Sequence, residues 1–258
     1  MRIITVNVNG IRSARKKGFF EWISKQNADF ICLQETRAQL HQLDEEIYFP
    51  KGFNCFYNDS QKKGYSGTAI YCKKKPLETI FSLGWDPCDS QARFTQVNYK
   101  NIIIISMYIP SGSSSDEALK NKFIFHENIF LYLKSLIKQR KNIVICADWN
   151  TCHKEIDLKN WRANKKNSGF LPEERAWLDS LYFDLGLIDG FRLLDQRPDQ
   201  YTWWSNRGNA YENNVGWRLD YHVITPGLKH ASRNVSIYRD ERFSDHAPVI
   251  MDFDFKIK

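Results

Sequence analysis

Short apolar segments rich in Ile, Val, Phe and Tyr recur along the chain, separated by polar and turn-forming residues. Segments of this length and composition predict β-strands. Some of them, such as Phe30 to Leu33 and Ile143 to Ala147, are apolar throughout, which is typical of strands buried on both faces. We expect eleven strands, near residues 2–8, 29–34, 53–57, 67–73, 92–99, 101–108, 142–147, 201–204, 219–224, 235–239 and 248–255.

Three amphipathic segments predict helices. Ser114 and Glu117 have the spacing of a capping box, ahead of a long run that extends to about Arg140. Pro172 begins a second helix, and Gly186 lies beyond its end. A shorter first helix contains Phe19, Trp22 and Ile23. Many strands with few helices predict an α/β fold in which two sheets pack together under helices, as a single domain over residues 1–258.

The composition excludes several classes of protein. With 258 residues, 42% hydrophobic and 26% charged, the chain is neither disordered nor collagen-like nor a coiled coil. Its longest strongly apolar run, residues 102–107, is too short to span a bilayer, and the first ten residues lack the apolar core of a secretory signal. The six scattered cysteines have no zinc-site spacing, so we expect reduced thiols and a cytoplasmic location.

Polar side chains stand at the ends of the predicted strands. Five strands deliver such groups, namely Asn7, Glu35, Tyr108, Asp148 with Asn150, and Asp220. Asp245 and His246 instead precede the last strand, so they reach the same sheet edge if that strand is antiparallel to its neighbours. A lone strand-end Asp or Asn is usually a turn former or a cap, so the set carries more information than any member.

The chemistry of this set suits a hard cation. Carboxylate and amide oxygens favour Mg²⁺ or Mn²⁺, and the lack of a thiolate cluster disfavours structural zinc. Such an ion beside a His and an Asp fits the hydrolysis of a phosphate ester, with a carboxylate that deprotonates water. Phosphate-loop, dinucleotide-binding and nucleophile-elbow motifs are all lacking, which disfavours kinase, dehydrogenase and α/β-hydrolase interpretations.

At these residues the chain resembles the exonuclease III family of abasic-site endonucleases, within the endonuclease/exonuclease/phosphatase superfamily. The matching motifs occur in family order and are TVNVNG (5–10), LQETR (33–37), GYSG (64–67), MYIPSG (107–112), ADWN (147–150), GFLPEERAWLD (169–179), NNVGWRLDY (213–221) and SDHAPV (244–249). ADWN and SDHAP recur across the superfamily, whereas LQETR with NVGWRLDY is more specific to the abasic-site branch.

The resemblance implies a four-layer α/β sandwich with two mixed sheets inside and helices outside. It implies Mg²⁺-dependent hydrolysis, with Mn²⁺ as a substitute, of the DNA phosphodiester 5′ to abasic sites, together with 3′→5′ exonuclease and 3′-end-cleaning activity. The expected partner is double-stranded DNA with abasic sites or 3′ ends. We therefore expect a monomer without membrane association, located with the DNA of the nucleoid.

The same resemblance assigns roles at the strand ends. Glu35 and Asp245 resemble the primary metal ligands, with Asn7 nearby. Asp148 resembles the group that activates the attacking water or protonates the leaving oxygen, and Asn150 the group that helps to hold the transition state. The full predicted metal set is Asn7, Glu35, Asp148, Asn150 and Asp245. Tyr108 would contact phosphate, and Asp220 would orient His246 toward the scissile phosphate.

Aromatic and basic residues form a second set of predicted contacts. By family position, Trp203 and Trp217 would line a pocket for a flipped-out abasic sugar, whereas Trp204 is expected in the core. The net charge of +7 is compatible with nucleic acid but does not demand it. Contacts to the DNA backbone are predicted for Lys62, Lys63, Tyr65, Arg93 and Arg218, although each is singly as consistent with an ordinary surface residue.

The chain departs from the family pattern at three positions. Asn9 stands where some relatives have an acid, Arg37 replaces the usual Lys, and Trp149 lies inside ADWN.

Two alternative functions stay open. The first alternative is a phosphatase or phosphodiesterase of the same superfamily acting on a non-DNA phosphate ester, such as an inositol phosphate or a lipid. The second is a DNA-binding module without activity, which the complete set of expected catalytic groups disfavours.

Overall fold

The computed structural model describes all 258 residues, as strands, helices and short 3₁₀ turns. The strands are β1 (Arg2–Asn7), β2 (Phe30–Gln34), β3 (Asn54–Asn58), β4 (Thr68–Cys72), β5 (Glu78–Ile80), β6 (Phe94–Asn98), β7 (Ile102–Tyr108), β8 (Asn142–Asp148), β9 (Ile188–Asp189), β10 (Trp203–Trp204), β11 (Gly216–Trp217), β12 (Asp220–Ile224), β13 (Ser232–Ile237) and β14 (Val249–Phe253). The helices are α1 (Ile11–Lys16), α2 (Phe19–Ser24), α3 (Asp116–Ile137), α4 (Trp161–Asn164), α5 (Pro172–Phe183) and α6 (Gly190–Leu194).

Two six-stranded mixed sheets form the centre of the molecule. The first has the order β13-β14-β1-β2-β4-β3 and the second the order β5-β6-β7-β8-β12-β9, while β10 and β11 form a separate ribbon. Apolar side chains of the two sheets, including Ile3, Phe30, Ile104 and Val144, make a core with no exposure to solvent. Because strands in this core are covered on both faces, they read as continuous apolar runs in the sequence.

Helices cover the outer face of each sheet. Ile11, Phe19 and Trp22 of α1 and α2 pack on the first sheet. The buried faces of the long helices α3 and α5 pack on the second sheet, through side chains such as Phe125 and Leu178. The four-layer sandwich with two mixed sheets, which the resemblance implied, is therefore confirmed. No helix combines the length and the apolar character that crossing a membrane requires.

The differences from the predicted elements concern short segments and one cap. The strands β5, β9 and β11 have only two or three residues, and α1, α4 and α6 only four to six, too few to give a clear period. The predicted cap at Ser114 is wrong by one residue. Ser115 caps α3 instead, because its hydroxyl oxygen accepts a 3.1 Å hydrogen bond from the backbone N of Ala118.

The strand directions bring the polar strand ends to one edge. In each sheet a parallel pair, β1 with β2 and β7 with β8, ends at this edge. The strand β14 is antiparallel to β1, so its first residues start at the same edge, as predicted. We expected Asp220 at the end of a strand. It is instead the first residue of β12, where it pairs with Asp148 of the antiparallel strand β8.

Candidate active site

A cavity of about 710 Å³ opens where the strand ends meet. The groups that line it include most of the predicted polar residues and both predicted pocket tryptophans, namely Glu35, Tyr108, Asp148, Asn150, Trp203, Trp217, Asp245 and His246. Residues from six strands or their adjoining loops thus surround one space. Asn7 and Asp220 lie directly behind this lining as hydrogen-bond partners of the residues that form it.

Asp148, the last residue of β8, is the most enclosed of the lining carboxylates, with 1% of its surface exposed. Its Oδ2 accepts a 2.9 Å hydrogen bond from Asn7 Nδ2, and its Oδ1 accepts one of 2.9 Å from the backbone N of Asn150. Asn150 has a φ of 46°, the left-handed conformation that turns the chain sharply at the end of β8. Burial, with the nearby charge of Asp220, raises the pKa of Asp148 to about 7.

His246 is held by Asp220 from behind. His246 Nδ1 lies 2.8 Å from Asp220 Oδ2, which also accepts a 2.7 Å hydrogen bond from the hydroxyl of Thr202. The other ring nitrogen, Nε2, lies 3.9 Å from Asp148 Oδ2. Burial alone would lower the pKa of His246, but the Asp220 and Asp148 carboxylates outweigh it and raise the pKa to about 10. The imidazole is therefore kept protonated in the metal-free protein.

Glu35 follows β2 with a φ of 52° and is only 7% exposed. Its Oε1 accepts a 2.7 Å hydrogen bond from Asn7 Nδ2, and its Oε2 accepts one of 2.8 Å from Arg37 Nε. The amide group of Asn7 thus bridges Glu35 and Asp148. As oriented here, Asn7 presents its NH₂ group to the two carboxylates, so it positions them, which differs from the predicted role of an oxygen ligand.

The donor set fits a divalent cation. Ligand atoms of Glu35, Asp148 and His246 all lie within 4.8 Å of one another, and all three residues are buried. Two carboxylates held this close in a buried site repel each other, which a divalent cation would relieve. Since the imidazole nitrogen nearest to them is favoured in its protonated form, the carboxylate oxygens of Glu35 and Asp148 are the better donors.

Asp245, a predicted primary ligand, is held slightly apart from this group. Its Oδ1 accepts a 2.8 Å hydrogen bond from Asn9 Nδ2, and its Oδ2 accepts one of 3.1 Å from Trp203 Nε1. Burial alone would raise the pKa of Asp245, but His246 and these hydrogen bonds hold it below its ordinary value. Asp245 thus lines the same cavity as an ionised carboxylate, and its metal-ligand role stays a prediction.

Two half-buried tryptophans form a wall of the cavity. The ring centroids of Trp203 and Trp217 lie 6.4 Å apart in an edge-on arrangement, on the paired strands β10 and β11. The hydrogen bond from the Trp203 indole to Asp245 joins this wall to the carboxylates. Trp204 has no exposed surface and packs in the core, as expected.

The structure contradicts two of the predicted phosphate contacts. Arg218 has no exposed surface, and its guanidinium lies 2.9 Å from Asp157 and 2.7 Å from Asp189. It is thus a buried counter-ion of these two carboxylates and has no free face for phosphate. Arg93 is 3% exposed and lies against the ring of Tyr108, with 4.7 Å between its guanidinium carbon and the ring centroid. It supports Tyr108 and has no free face for phosphate.

The other predicted contacts are exposed, and the structure adds a basic cleft beside them. Lys62, Lys63 and Tyr65 lie on the surface. The cleft contains Gly64 from the same loop, and Arg37 borders both this cleft and the main cavity. Sequence reasoning missed its other basic residues, which are Arg12, Arg15 and Lys16. The run of basic residues over 15–17 was the signal that could have identified Arg15 and Lys16.

Comparison with known proteins gives one family. The Endonuclease/Exonuclease/phosphatase family matches residues 4–246. A Bacillus subtilis (strain 168) protein named exodeoxyribonuclease is 36% identical over 251 residues, which cover 96% of this chain and 98% of its own. A Danio rerio protein named DNA repair nuclease APEX1 is 36% identical over 256 residues, which cover 97% of this chain and 81% of its own.

Solved structures of similar fold agree with this result. An AP endonuclease from Archaeoglobus fulgidus superposes with a TM-score of 0.90 at 27% identity, over 99% of this chain and all of its own. A 3′-5′ exonuclease from Neisseria meningitidis gives the same TM-score of 0.90 at 25% identity, over 99% of this chain. The match extends over both sheets and the strand ends that form the cavity.

Proposed function

This chain belongs to the Endonuclease/Exonuclease/phosphatase family, and we propose that it is a DNA repair nuclease that hydrolyses the phosphodiester 5′ to abasic sites. The same site would trim 3′ ends of duplex DNA as an exonuclease and a 3′-phosphatase. The observation that carries the proposal is the meeting of the Asp220–His246 pair, two buried carboxylates and a tryptophan wall in one cavity.

A divalent cation belongs to this mechanism, and Mg²⁺, with Mn²⁺ as a substitute, suits the oxygen donors of Glu35 and Asp148. When bound, it neutralises charge on the phosphate oxygens. Asp245 lines the same cavity and would add to the negative charge there. Asn7 keeps Glu35 and Asp148 at a constant separation through the two hydrogen bonds that its amide donates.

The protein groups supply proton transfer and charge. The His246 imidazolium, fixed by Asp220, donates a hydrogen bond to a non-bridging oxygen of the scissile phosphate. Asp148, with its pKa raised to about 7, can accept a proton from water or return one to the leaving oxygen near neutral pH. Tyr108, supported by Arg93, faces the same cavity and would contact the phosphate.

Selection of the substrate follows from the shape and charge around this site. A baseless sugar is cheap to extrude, because no stacked or paired base resists it, and Trp203 and Trp217 would form apolar walls around it. Arg12 and Lys16 of the basic cleft would bind backbone phosphates without reading sequence, whereas Arg15 is paired with Glu45. Such a protein would work on chromosomal DNA, which in a bacterium places it in the cytoplasm with the nucleoid.

One experiment separates this function from the alternatives. The protein is incubated with an abasic duplex, a 3′-recessed duplex, a 3′-phosphate nick and an inositol polyphosphate, each with Mg²⁺ or with EDTA. We expect Mg²⁺-dependent incision of the abasic duplex and processing of the 3′ ends. Release of phosphate from the inositol compound alone would support a different phosphatase, and binding of DNA without cleavage would support an inactive binding module.

A further inference from the structure

Lys122 of α3 is a buried cation that the chemistry proposed above does not use. Neither its side chain nor that of Glu174 in α5 has any exposed surface, and Lys122 Nζ lies 2.6 Å from Glu174 Oε1. Buried ion pairs often stabilise a fold no better than apolar side chains of similar volume. The other contacts of the pair therefore indicate what it contributes.

Lys122 contacts the end of β8, which carries Asp148 and Asn150 and is called here the catalytic strand end. Its ammonium group donates a 2.8 Å hydrogen bond to the backbone carbonyl of Asn150. Asn150 has the left-handed φ of 46°, and its backbone and side-chain N–H groups donate to Asp148 at 2.9 Å and 3.3 Å. A residue stays in such a conformation only when its surroundings hold it there, and Lys122 supplies one of the contacts that do so.

The contacts of Glu174 lead to the tryptophan wall. Its Oε2 accepts hydrogen bonds of 2.6 Å from the backbone N of Gly169 and 2.9 Å from that of Leu171. Gly169 has a φ of +97°, and a Cβ atom there would lie 3.1 Å from the Trp217 ring. Glu174 therefore fixes a turn that lies directly against this ring, at a φ that favours glycine and where a Cβ atom would press on the ring.

We propose that Lys122 and Glu174 are positioning residues that join the catalytic strand end to the wall of the substrate pocket. Lys122 keeps Asn150, and through it the Asp148 carboxylate, in a single orientation, while Glu174 keeps the turn at Gly169 against Trp217. Loss of this alignment acts on the chemical step, because a displacement of about 1 Å near reacting groups costs roughly 100-fold in rate. The catalytic part of this inference rests on the proposed function.

The test uses a double variant that avoids an unpaired buried charge. In Lys122→Met/Glu174→Gln, Met approximates the length of Lys without its charge, and Gln retains an oxygen that can accept from Gly169 and Leu171. The donor to the Asn150 carbonyl is removed while the turn keeps its acceptor. The matched control is Leu133→Ala, which removes buried volume from the same helix without contacting the site.

The double variant and Leu133→Ala are compared by two measurements, under conditions in which both have lost the same thermal stability relative to wild type. The first readout is hydrogen exchange of the Asn150 backbone amide by NMR. We expect this exchange to be faster in the double variant than in Leu133→Ala. The second is single-turnover cleavage of an abasic duplex beside its binding affinity in EDTA. We expect the rate of cleavage to fall by roughly 100-fold, with the affinity unchanged from that of the control.

The outcomes separate the two proposals. Equal Asn150 exchange and equal cleavage in the double variant and in Leu133→Ala would show that the pair only stabilises the fold, and would overturn the inference. If the wild-type protein cleaves no DNA, the proposed function fails, and the exchange of Asn150 still decides whether the pair positions this residue. Faster exchange together with slower cleavage supports the inference.

Discussion

His246 Nδ1 lies 2.8 Å from Asp220 Oδ2, and neither side chain has more than 6% of its surface exposed. Asp220 is the first residue of β12, whereas His246 lies in the segment before β14 of the other sheet, 26 positions away in the chain. Thr202 donates to the same carboxylate oxygen, so Asp220 is itself held in place. The pair therefore presents the other imidazole nitrogen to the cavity in a fixed direction.

This geometry predicts the effect of replacing either partner. In His246→Ala the cleavage rate should fall by roughly 100- to 10,000-fold, because an oriented charge and proton donor is lost. Asp220→Asn should change the rate in the same direction, since the amide no longer favours the imidazolium. Single-turnover cleavage of an abasic duplex is the measurement. His230→Ala, at an exposed residue beyond the opposite end of β12, is the control, and a wild-type rate for His246→Ala would contradict this role.

Glu35→Gln should weaken the binding of metal. A neutral amide replaces one of the two buried carboxylates, and Mg²⁺ binds charged oxygens better. We expect a lower affinity for Mg²⁺ and Mn²⁺ by calorimetry, and a loss of cleavage that higher Mg²⁺ or added Mn²⁺ partly restores. Asp254→Asn, at an exposed carboxylate distant from the cavity, should have no effect. Unchanged metal affinity in Glu35→Gln would remove Glu35 from the ligands.

The charge of His246 predicts a pH dependence of stability in the metal-free protein. Although burial opposes it, the Asp220 and Asp148 carboxylates raise the pKa of His246 from 6.5 to about 10. The folded protein thus holds this proton more tightly than the unfolded chain, so the stabilisation is complete below pH 6.5 and is lost as the pH rises through about 10. Denaturant unfolding in EDTA should show a larger loss of stability between these values in wild type than in His246→Gln, and parallel losses would refute the assignment.

The basic cleft predicts the salt dependence of DNA binding. The logarithm of duplex affinity should fall linearly with the logarithm of salt concentration, by about 0.9 per phosphate neutralised. Arg12→Gln and Lys16→Gln should each reduce that slope by about 1, with the same effect on different flanking sequences. Lys229→Gln, exposed beyond the opposite end of β12, is the control. A marked preference for one sequence around the lesion would argue against phosphate contacts.

Trp217 should govern which substrate enters rather than the chemical step. In Trp217→Ala the pocket loses an apolar wall and becomes wider, so a baseless sugar binds less well and an undamaged terminal nucleotide fits better. The ratio of abasic incision to exonuclease degradation should fall, measured in single turnover with circular dichroism to confirm folding. If both activities fell by the same factor in a folded variant, Trp217 would serve only the packing of the fold.

The sequence by itself determined the strands, the long helices and the residue types of the site. Short continuous apolar runs such as residues 143–147 are typical of strands covered on both faces, and a polar residue directly after such a run is expected where the strand ends. The resemblance of the motifs at those edges then indicated the family. These features are local, because one segment of chain and its own period are enough to define them.

The tertiary structure decided what each polar side chain faces. Arg218 and Lys16 are both basic residues in sequence, yet the first is a buried partner of Asp157 and the second is exposed in the cleft. The amide orientation of Asn7 likewise depends on Asp148, 141 positions away in the chain. The hydrogen bond of Lys122 joins it to Asn150, 28 positions away. Such pairings follow from how sheets and helices stack, since burial makes an unpaired charge costly only once the layers have closed around it.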